Sequence, residues 1–189
     1  MVLAALSQAI ESRDPYTRGH SDRVSALAEV VARRLGWKRS RLGALRLGAL
    51  LHDIGKLNLD DAVLRKPGPL DAHEFDEIKR HPLAGARLIR RVDALRPALP
   101  YILFHHERWD GRGYPTGRSR EQIPSGARIV AVADAFDAMM SARPYRPPLS
   151  IAGALAQLEQ GAGTQFDPVV VRAFLAAWAD GELREIRAA

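Results

Sequence analysis

The 189-residue chain contains no cysteine, and aromatic residues make up only 6% of it. The lack of cysteine excludes disulfides, zinc sites with thiolate ligands and cysteine nucleophiles. The longest apolar runs, at 98–104 and 129–133, are far too short to span a membrane. The N-terminus has no basic segment followed by an apolar block, so it does not resemble a signal peptide. These absences predict a soluble, cytoplasmic protein.

The charge is moderately basic, with 28 basic and 22 acidic residues and a formal net charge of +6. A basic surface attracts anionic partners such as nucleotides or nucleic acid. The arginines are scattered over several segments instead of forming one tract, so charge alone does not indicate a nucleic-acid binder. The length and the apolar fraction of 47% are those of one globular domain.

Apolar residues recur at helical spacing nearly throughout, and no strand alternation persists. The stripe of Val24, Leu27 and Val31 predicts a helix that Gly36 ends, and the next helix is predicted from about Ser40 to Gly55. Further helices are predicted over Val2–Ile10, from Asp71, over His81–Arg91, from Leu95 to about His106, from Ser125 to about Ala142, after Ser150 and over about 167–180. The pattern predicts an all-α fold, a compact bundle of about eight helices in a single domain over residues 1–189. The stretch from Glu107 to Pro124, which is rich in glycine, must be a loop, and loops of this length are usually functional.

Five of the six histidines lie where packing alone does not explain them. His20 and His52 are in phase with the apolar stripes of their helices, and Asp134 interrupts a helix that is otherwise nearly all apolar. An ionised carboxylate buried without a partner costs several kcal/mol, roughly, or becomes protonated. A cation where these helices converge would remove that cost and would bind neutral imidazoles.

Each of these residues also has a structural explanation. A histidine on an apolar face is often a hydrogen-bonded core residue, Asp134 could pair with Arg128 or Arg143, and His105 and His106 could end a helix. Separate explanations for every one of them are less economical than a single metal site.

These residues resemble the H…HD…D pattern of the HD-domain phosphohydrolases, in His20, in His52-Asp53 and in Asp134. The longer motifs resemble the HD-GYP family of bacterial cyclic di-GMP phosphodiesterases over about residues 10–165. They are the segments 52–56 (HDIGK), 81–85 (HPLAG), 105–115 (HHERWDGRGYP) and 134–139 (DAFDAM). The two letters HD alone would be a weak match, whereas the ordered set that includes Gly113-Tyr114-Pro115 is very specific.

The resemblance implies a set of metal ligands. His20, His52, Asp53 and Asp134 match the ligands that HD domains share, and three further histidines match those of a second metal: His81, His105 and His106. Asp53 would bridge the two ions. Some family members bind a third metal through a glutamate at the position of Tyr16, so two divalent ions are expected here. Ligands of this type without sulfur suit iron, manganese, nickel or zinc better than magnesium, and we expect iron or manganese.

The resemblance also implies a reaction. Two ions close together can share a hydroxide that attacks phosphorus in line, while the metals and Lys56 stabilise the charge on the phosphate. Lys56 matches the family's phosphate contact, which makes Asp53 and Lys56 the expected catalytic residues. Gly113, Tyr114 and Pro115 are expected to form a substrate wall. Arg143 and Arg146 are further candidates for substrate contact.

Other polar residues in the motifs are expected to support the site. Glu107, Arg112 and Asp137 are interpreted as holding ligands or the loop in place. Trp109 is expected to pack the loop against the bundle, and His73 is expected to be exposed.

The expected activity is hydrolysis of cyclic di-GMP to pGpG, with further cleavage to GMP an open question. Another cyclic dinucleotide could be the substrate instead, or the chain could be a silent cyclic di-GMP-binding signalling module. Family members usually carry a sensory or receiver domain before this point. The expected partners are therefore such a domain in a longer parent, a separate signalling protein, or a second copy in a homodimer. Binding to nucleic acid is not expected.

Overall fold

The computed structural model describes residues 11, 13, 19–142, 147–184 and 186. The predicted helix over residues 2–10, Tyr16 and the segment 143–146 with both of its arginines lie outside the described residues.

The described residues are helical, and their only β-structure is an isolated bridge between Ala162 and Phe166. The α-helices are α1 His20–Arg34, α2 Arg39–Leu51, α3 Asp61–Leu64, α4 Ala72–Ile78, α5 His81–Ile89, α6 Leu99–Phe104, α7 Ser125–Met140, α8 Ile151–Gln160 and α9 Pro168–Ala179. Three 3-10 helices span Ile54–Asn58, Asp93–Ala98 and Arg120–Gln122. The predicted all-α bundle of about eight helices is confirmed. Among the described residues, no helix is long and apolar enough to cross a membrane.

The main core lies where α1, α2 and α7 meet, and α8 and α9 cover it. The predicted stripe of α1 is buried, with Val24, Leu27 and Val31 at most 3% exposed. Phe136 of α7 packs against Phe174 of α9 with their ring centroids 4.8 Å apart. Packing in this core fixes the positions of α1 and α7, which carry His20 and Asp134.

Two predicted helices are shorter than expected. The helix expected to run to Gly55 ends at Leu51, and a 3-10 helix begins at Ile54. Gly55 lies directly against the start of α5, where a Cβ on it would be only 1.9 Å from the carbonyl oxygen of His81. The helix expected over 95–106 is split, because Pro97, which has no N–H to donate, lies inside the 3-10 helix before α6. The first of these breaks brings His52 and Asp53 next to His81.

Helix starts agree with the sequence signals. Asp71 accepts a hydrogen bond from the backbone of Glu74 in a capping box, as expected. Ser150 and Asp167 cap α8 and α9, and Pro168 occupies the first turn of α9.

Candidate metal centre and its cleft

The seven predicted ligands come together in two adjacent groups. Their donor atoms lie within 4.8 Å of one another inside each group, the first being His20, His52 and Asp134 and the second Asp53, His81, His105 and His106. They are positioned by helix ends: His20 and His81 begin α1 and α5, His52 follows α2, and the pair after α6 is His105 and His106. Asp134 lies within α7 and is not among the buried residues of that helix.

Asp53 connects the two groups. Its Oδ1 is 3.3 Å from Nε2 of His81, and its Oδ2 is 3.5 Å from Nε2 of His52. The sequence analysis predicted Asp53 as the bridge between the two sites, and in the structure its closest set of donors is the second group. Because each oxygen faces a different group, this carboxylate can bridge two cations.

Three of the imidazoles are oriented in the same way. Nδ1 of His52, His81 and His105 lies 2.6, 2.8 and 2.8 Å from the carbonyl oxygen three residues earlier in each case. A carbonyl only accepts hydrogen bonds, so Nδ1 carries a proton, and in the neutral imidazole Nε2 then presents its lone pair to the centre.

The arrangement of these nitrogen atoms suits coordination of a metal ion. The Nε2 atom of His52 is buried with no hydrogen-bond partner among the described atoms. The Nε2 atoms of His81 and His105 face each other at 3.3 Å. Two imidazole lone pairs at this distance repel unless a cation lies between or beside them, so the residues present match a metal centre.

His20 is held from behind by Asp137. Its Nδ1 lies 2.7 Å from Oδ2 of Asp137, and its Nε2 lies 3.2 Å from Oδ1 of Asp134. Arg23 donates to both oxygens of Asp137, at 2.7 and 3.0 Å. A carboxylate that orients a ligand histidine in this way is common in metal sites.

The charges of the site are strongly coupled. Burial acts to lower the pKa of His20, but hydrogen bonds to Asp134 and Asp137 raise it to about 9. Burial acts to raise the pKa values of Asp53 and Asp134, yet both lie well below their usual range. The charge of Lys56 lowers the pKa of Asp53, and the hydrogen bond from His20 lowers that of Asp134. Both carboxylates are therefore ionised near neutral pH.

The second group contains neutral imidazoles. Burial, followed by repulsion from neighbouring histidines, lowers the pKa of His105 well below its usual range and lowers that of His106 to about 3. Neutral imidazoles beside an ionised carboxylate are the protonation states that metal binding requires.

The alternative that Asp134 is simply paired with Arg128 is not supported within the described residues. Arg128 instead lies 2.5 Å from Oδ2 of Asp167 and also donates to the carbonyl of Ile123. The other candidate, Arg143, lies outside the described residues.

Residues 4–170 match the family described as HD domain, which is most of the chain. The chain belongs to the HD-domain family. Hydrolases with this domain depend on metals, and the two ligand groups are of a kind that could bind them.

Curated relatives confirm the resemblance to the HD-GYP branch. The chain is 44% identical over 180 residues to the cyclic di-GMP phosphodiesterase response regulator RpfG of Xanthomonas campestris, covering 92% of this chain and 46% of that protein. It is 36% identical over 167 residues to the 3′3′-cGAMP-specific phosphodiesterase 3 of Vibrio cholerae, covering 88% of this chain and 36% of that protein. The HD domain described here thus spans about half or less of the length of these relatives.

A solved structure has the same fold. The crystal structure of a cyclic GMP-AMP-specific phosphodiesterase of Vibrio cholerae, V-cGAP3, superposes with a TM-score of 0.75 at 19% identity, covering 96% of this chain and 49% of that one. The helical architecture is therefore that of known HD-domain proteins.

The two ligand groups of this HD domain face a cleft of about 580 Å³, a volume typical of small-molecule sites. Of the predicted substrate residues, Lys56 and Tyr114 line the cleft, whereas Gly113 and Pro115 are not among its described lining residues. Nζ of Lys56 lies 2.6 Å from Oδ2 of Asp53. Lys56 is thus within reach of both the ligand groups and the cleft.

The glycine-rich loop folds back onto the second ligand group. The N–H of Tyr114 donates to the carbonyl of His106 at 3.2 Å, and the two rings lie 4.9 Å apart between centroids. Gly113 allows this approach, since a Cβ there would be 2.3 Å from the backbone nitrogen of Arg108. Burial raises the pKa of the Tyr114 phenol, so it remains protonated and able to donate a hydrogen bond.

The base of the loop is tied down at two further points. Oε1 of the buried Glu107 accepts hydrogen bonds from the N–H and the hydroxyl of Thr116, both at 2.7 Å. The backbone N–H groups of Trp109 and Asp110 donate to the carbonyls of Gln165 and Thr164, at 3.1 and 2.8 Å. Trp109 is half-buried, as expected for a packing residue, and His73 is exposed as expected.

Sequence reasoning assigned supporting roles to Glu107 and Asp137, and the contacts above agree with them. Arg112 donates its backbone N–H to Asp110 inside the loop. Sequence reasoning missed Arg23 and Thr116, which complete the two supporting networks. Arg23 lies one turn after His20, so its position on the same helix was the available signal.

Proposed function

We propose that this protein is a metal-dependent phosphodiesterase that hydrolyses cyclic di-GMP to pGpG. The observation that carries the proposal is the pair of ligand groups linked by Asp53 at the base of a cleft. The name of RpfG, a relative at 44% identity, supports cyclic di-GMP as the substrate. Whether pGpG is cleaved onward to GMP is part of the test below.

We infer that the first group holds one divalent ion and the second group another, with Asp53 shared, and that the ions are iron or manganese. Nitrogen and carboxylate donors without sulfur suit these metals. Two such ions supply Lewis acidity at the scissile phosphodiester. A third ion would need a carboxylate at the position of Tyr16. Because this position is a tyrosine, we propose two metal ions.

The protein's own groups perform the remaining tasks. We assign Lys56 to a non-bridging phosphate oxygen, because its ammonium lies at the edge of the cleft beside Asp53. Asp137 holds His20 with Nε2 directed at the first site, and backbone carbonyls hold the imidazoles of His52, His81 and His105. Tyr114 closes the cleft above His106, with its hydroxyl available to substrate.

In a longer parent protein, we propose a sensory or receiver domain before this domain, consistent with the response-regulator name of RpfG. A separate signalling protein or a second copy of the chain are the other partners to test. Arg143, outside the described residues, remains a proposed substrate contact.

The deciding experiment is anaerobic incubation of manganese- or iron-loaded protein with cyclic di-GMP, with the products separated by ion-exchange chromatography. We expect pGpG to appear, no product in the presence of a chelator, and none with the Asp53→Ala variant. A later GMP peak would show that hydrolysis proceeds through both phosphodiesters.

A second substrate, 3′3′-cGAMP, is tested in parallel, because the relative from Vibrio cholerae is specific for it. Faster hydrolysis of 3′3′-cGAMP would move the assignment to that dinucleotide. Binding of a dinucleotide without turnover by fully metal-loaded protein would identify a signalling module in place of an enzyme.

A further inference from the structure

Two parts of the cleft lining differ in their chemistry. One, the aromatic wall, comes from α3, α4 and the segment between them and consists of Val63, Leu64, Leu70, Phe75 and Ile78. The other, the amide wall, comes from α7, α8 and the turn before α9 and includes Met139, Gln157, Gln165 and Phe166. A ligand that contacts both parts therefore meets apolar surface at one and carboxamides at the other.

Phe75 is the exposed feature of the aromatic wall. Its side chain is 45% exposed, whereas Phe104, Phe136, Phe166 and Phe174 are at most 8% exposed. The ammonium of Lys79 lies over its ring, 4.5 Å from the centroid. Phe75 is also rigidly connected to the metal centre, because the last residue of α4, Ile78, accepts the hydrogen bond from the ring of His81. An aromatic ring held in this way at a ligand cleft can stack on a planar group.

Gln165 is the corresponding feature of the amide wall. Its backbone is held at both ends, since its N–H donates to Gly161 at 2.9 Å and its carbonyl accepts from Trp109 at 3.1 Å. Its exposed carboxamide has no partner in the part of the chain that the structure describes. By contrast, the carboxamide of Gln157 donates to Gln160 at 3.4 Å. Gln165 thus combines a rigid backbone with a donor and an acceptor that are both available to a ligand.

We propose that the cleft holds the two bases of a cyclic dinucleotide in unlike ways, one stacked on Phe75 and the other hydrogen-bonded at its edge by Gln165. This inference rests on the proposed function. Stacking depends little on base identity, because every base has a π-face. A carboxamide distinguishes bases, because the donors and acceptors at the edges of adenine and guanine differ. Phe75 therefore contributes affinity, and Gln165 determines which dinucleotide is preferred.

The test measures dissociation constants of manganese-loaded protein for non-hydrolysable phosphorothioate analogues of cyclic di-GMP and 3′3′-cGAMP. We expect Phe75→Leu to weaken both by about tenfold and to leave their ratio unchanged. We expect Gln165→Leu to change the ratio of the two constants by at least about fivefold, because a lost base-edge contact affects one base more than the other. Leu88→Ala and Asn58→Leu, at exposed residues outside the described cleft lining, are the matched controls and should bind like wild type.

A further variant makes stacking directly visible. Phe75→Trp should keep wild-type affinity, and binding of either analogue should quench its added tryptophan emission. Metal content and melting temperature of each variant verify folding.

This inference would be overturned if Phe75→Leu bound both analogues with wild-type affinity and Gln165→Leu left the ratio of the two dissociation constants unchanged. The phosphodiesterase assignment would remain intact in that case. A uniform loss with Gln165→Leu would overturn its role in base selection. Wild-type protein that neither binds nor cleaves either dinucleotide would overturn the proposed function and this inference with it.

Discussion

His52 and Asp53 are adjacent in the sequence, yet their donor atoms belong to different ligand groups, with Nε2 of His52 3.5 Å from Oδ2 of Asp53. This is possible because α2 ends at Leu51, so the chain turns between the two side chains. One dipeptide thereby contributes to both groups. Replacing Asp53 should affect two metals, whereas replacing His52 should affect one.

Asp53→Ala should therefore abolish hydrolysis and remove most of the bound metal, because no other described carboxylate faces both groups. Metal content by plasma mass spectrometry and product formation are measured on the same preparation. Asp93→Ala, at an exposed carboxylate paired with Arg96, is the control and should keep both. An Asp53→Ala protein with full metal content and activity would contradict the assignment of the centre.

Lys56→Ala should lower turnover and leave the metal content near that of wild type. The ammonium contacts Asp53 at 2.6 Å but is not a metal ligand, so its proposed role is on the phosphate. Arg96→Ala removes an exposed ion pair of the same i,i+3 spacing, outside the described cleft lining, and serves as the matched control. Loss of metal from Lys56→Ala, measured by the same mass spectrometry, would show that Lys56 instead stabilises the bridging carboxylate.

Asp137→Asn should weaken metal binding at the first group by about 10- to 100-fold. Replacing a residue that is hydrogen-bonded to a ligand histidine usually lowers metal affinity by about this factor. The amide weakens the hydrogen bond that orients His20 and the ion pair with Arg23. Competition with a chromophoric chelator should show one weakened equivalent of metal and one unchanged. Asp180→Asn, on an exposed carboxylate, controls for the loss of charge. Equal weakening of both equivalents would show that Asp137 acts on the whole fold.

Gly55→Ala should lower the free energy of unfolding by about 2 kcal/mol or more, since forced overpacking in a filled interior has costs of this size. The new Cβ would lie 1.9 Å from the carbonyl oxygen of His81, and backbone cannot move aside easily. Gly43→Ala on α2 is the matched control. Its Cβ would meet nothing within 4 Å, so that variant should be stabilised by up to about 1 kcal/mol. Denaturant unfolding measures both, and equal stabilities would refute the close packing of α5 on this turn.

The fold and the set of polar residues that converge in the two groups could largely be predicted from the sequence, for two different reasons. Helical periodicity and capping residues such as Asp71 and Ser150 act locally, so they are readable along the chain. Histidines and an aspartate on apolar faces indicate buried polar groups that need a common partner. Their convergence in space agrees with that expectation.

Features that depend on distant contacts could not be predicted. The end of α2 before His52 depends on the packing of Gly55 against His81, which lies 26 residues later. The pairing of Arg23 with Asp137 joins residues 114 apart. The two walls of the cleft likewise come from opposite parts of the chain, so neither Phe75 nor Gln165 is conspicuous in the sequence.

The hydrogen bonds from Trp109 and Asp110 to the turn at 164–165 have a consequence for biosynthesis. A ribosome releases the chain from its N-terminus, and all seven ligand residues emerge before that turn does. The loop beside His106 gains its anchor only when the turn has left the exit tunnel. The helix α9, which covers the main core, leaves the tunnel later still, and domains generally fold as units, so the ligand groups and the loop beside them are completed together late in synthesis.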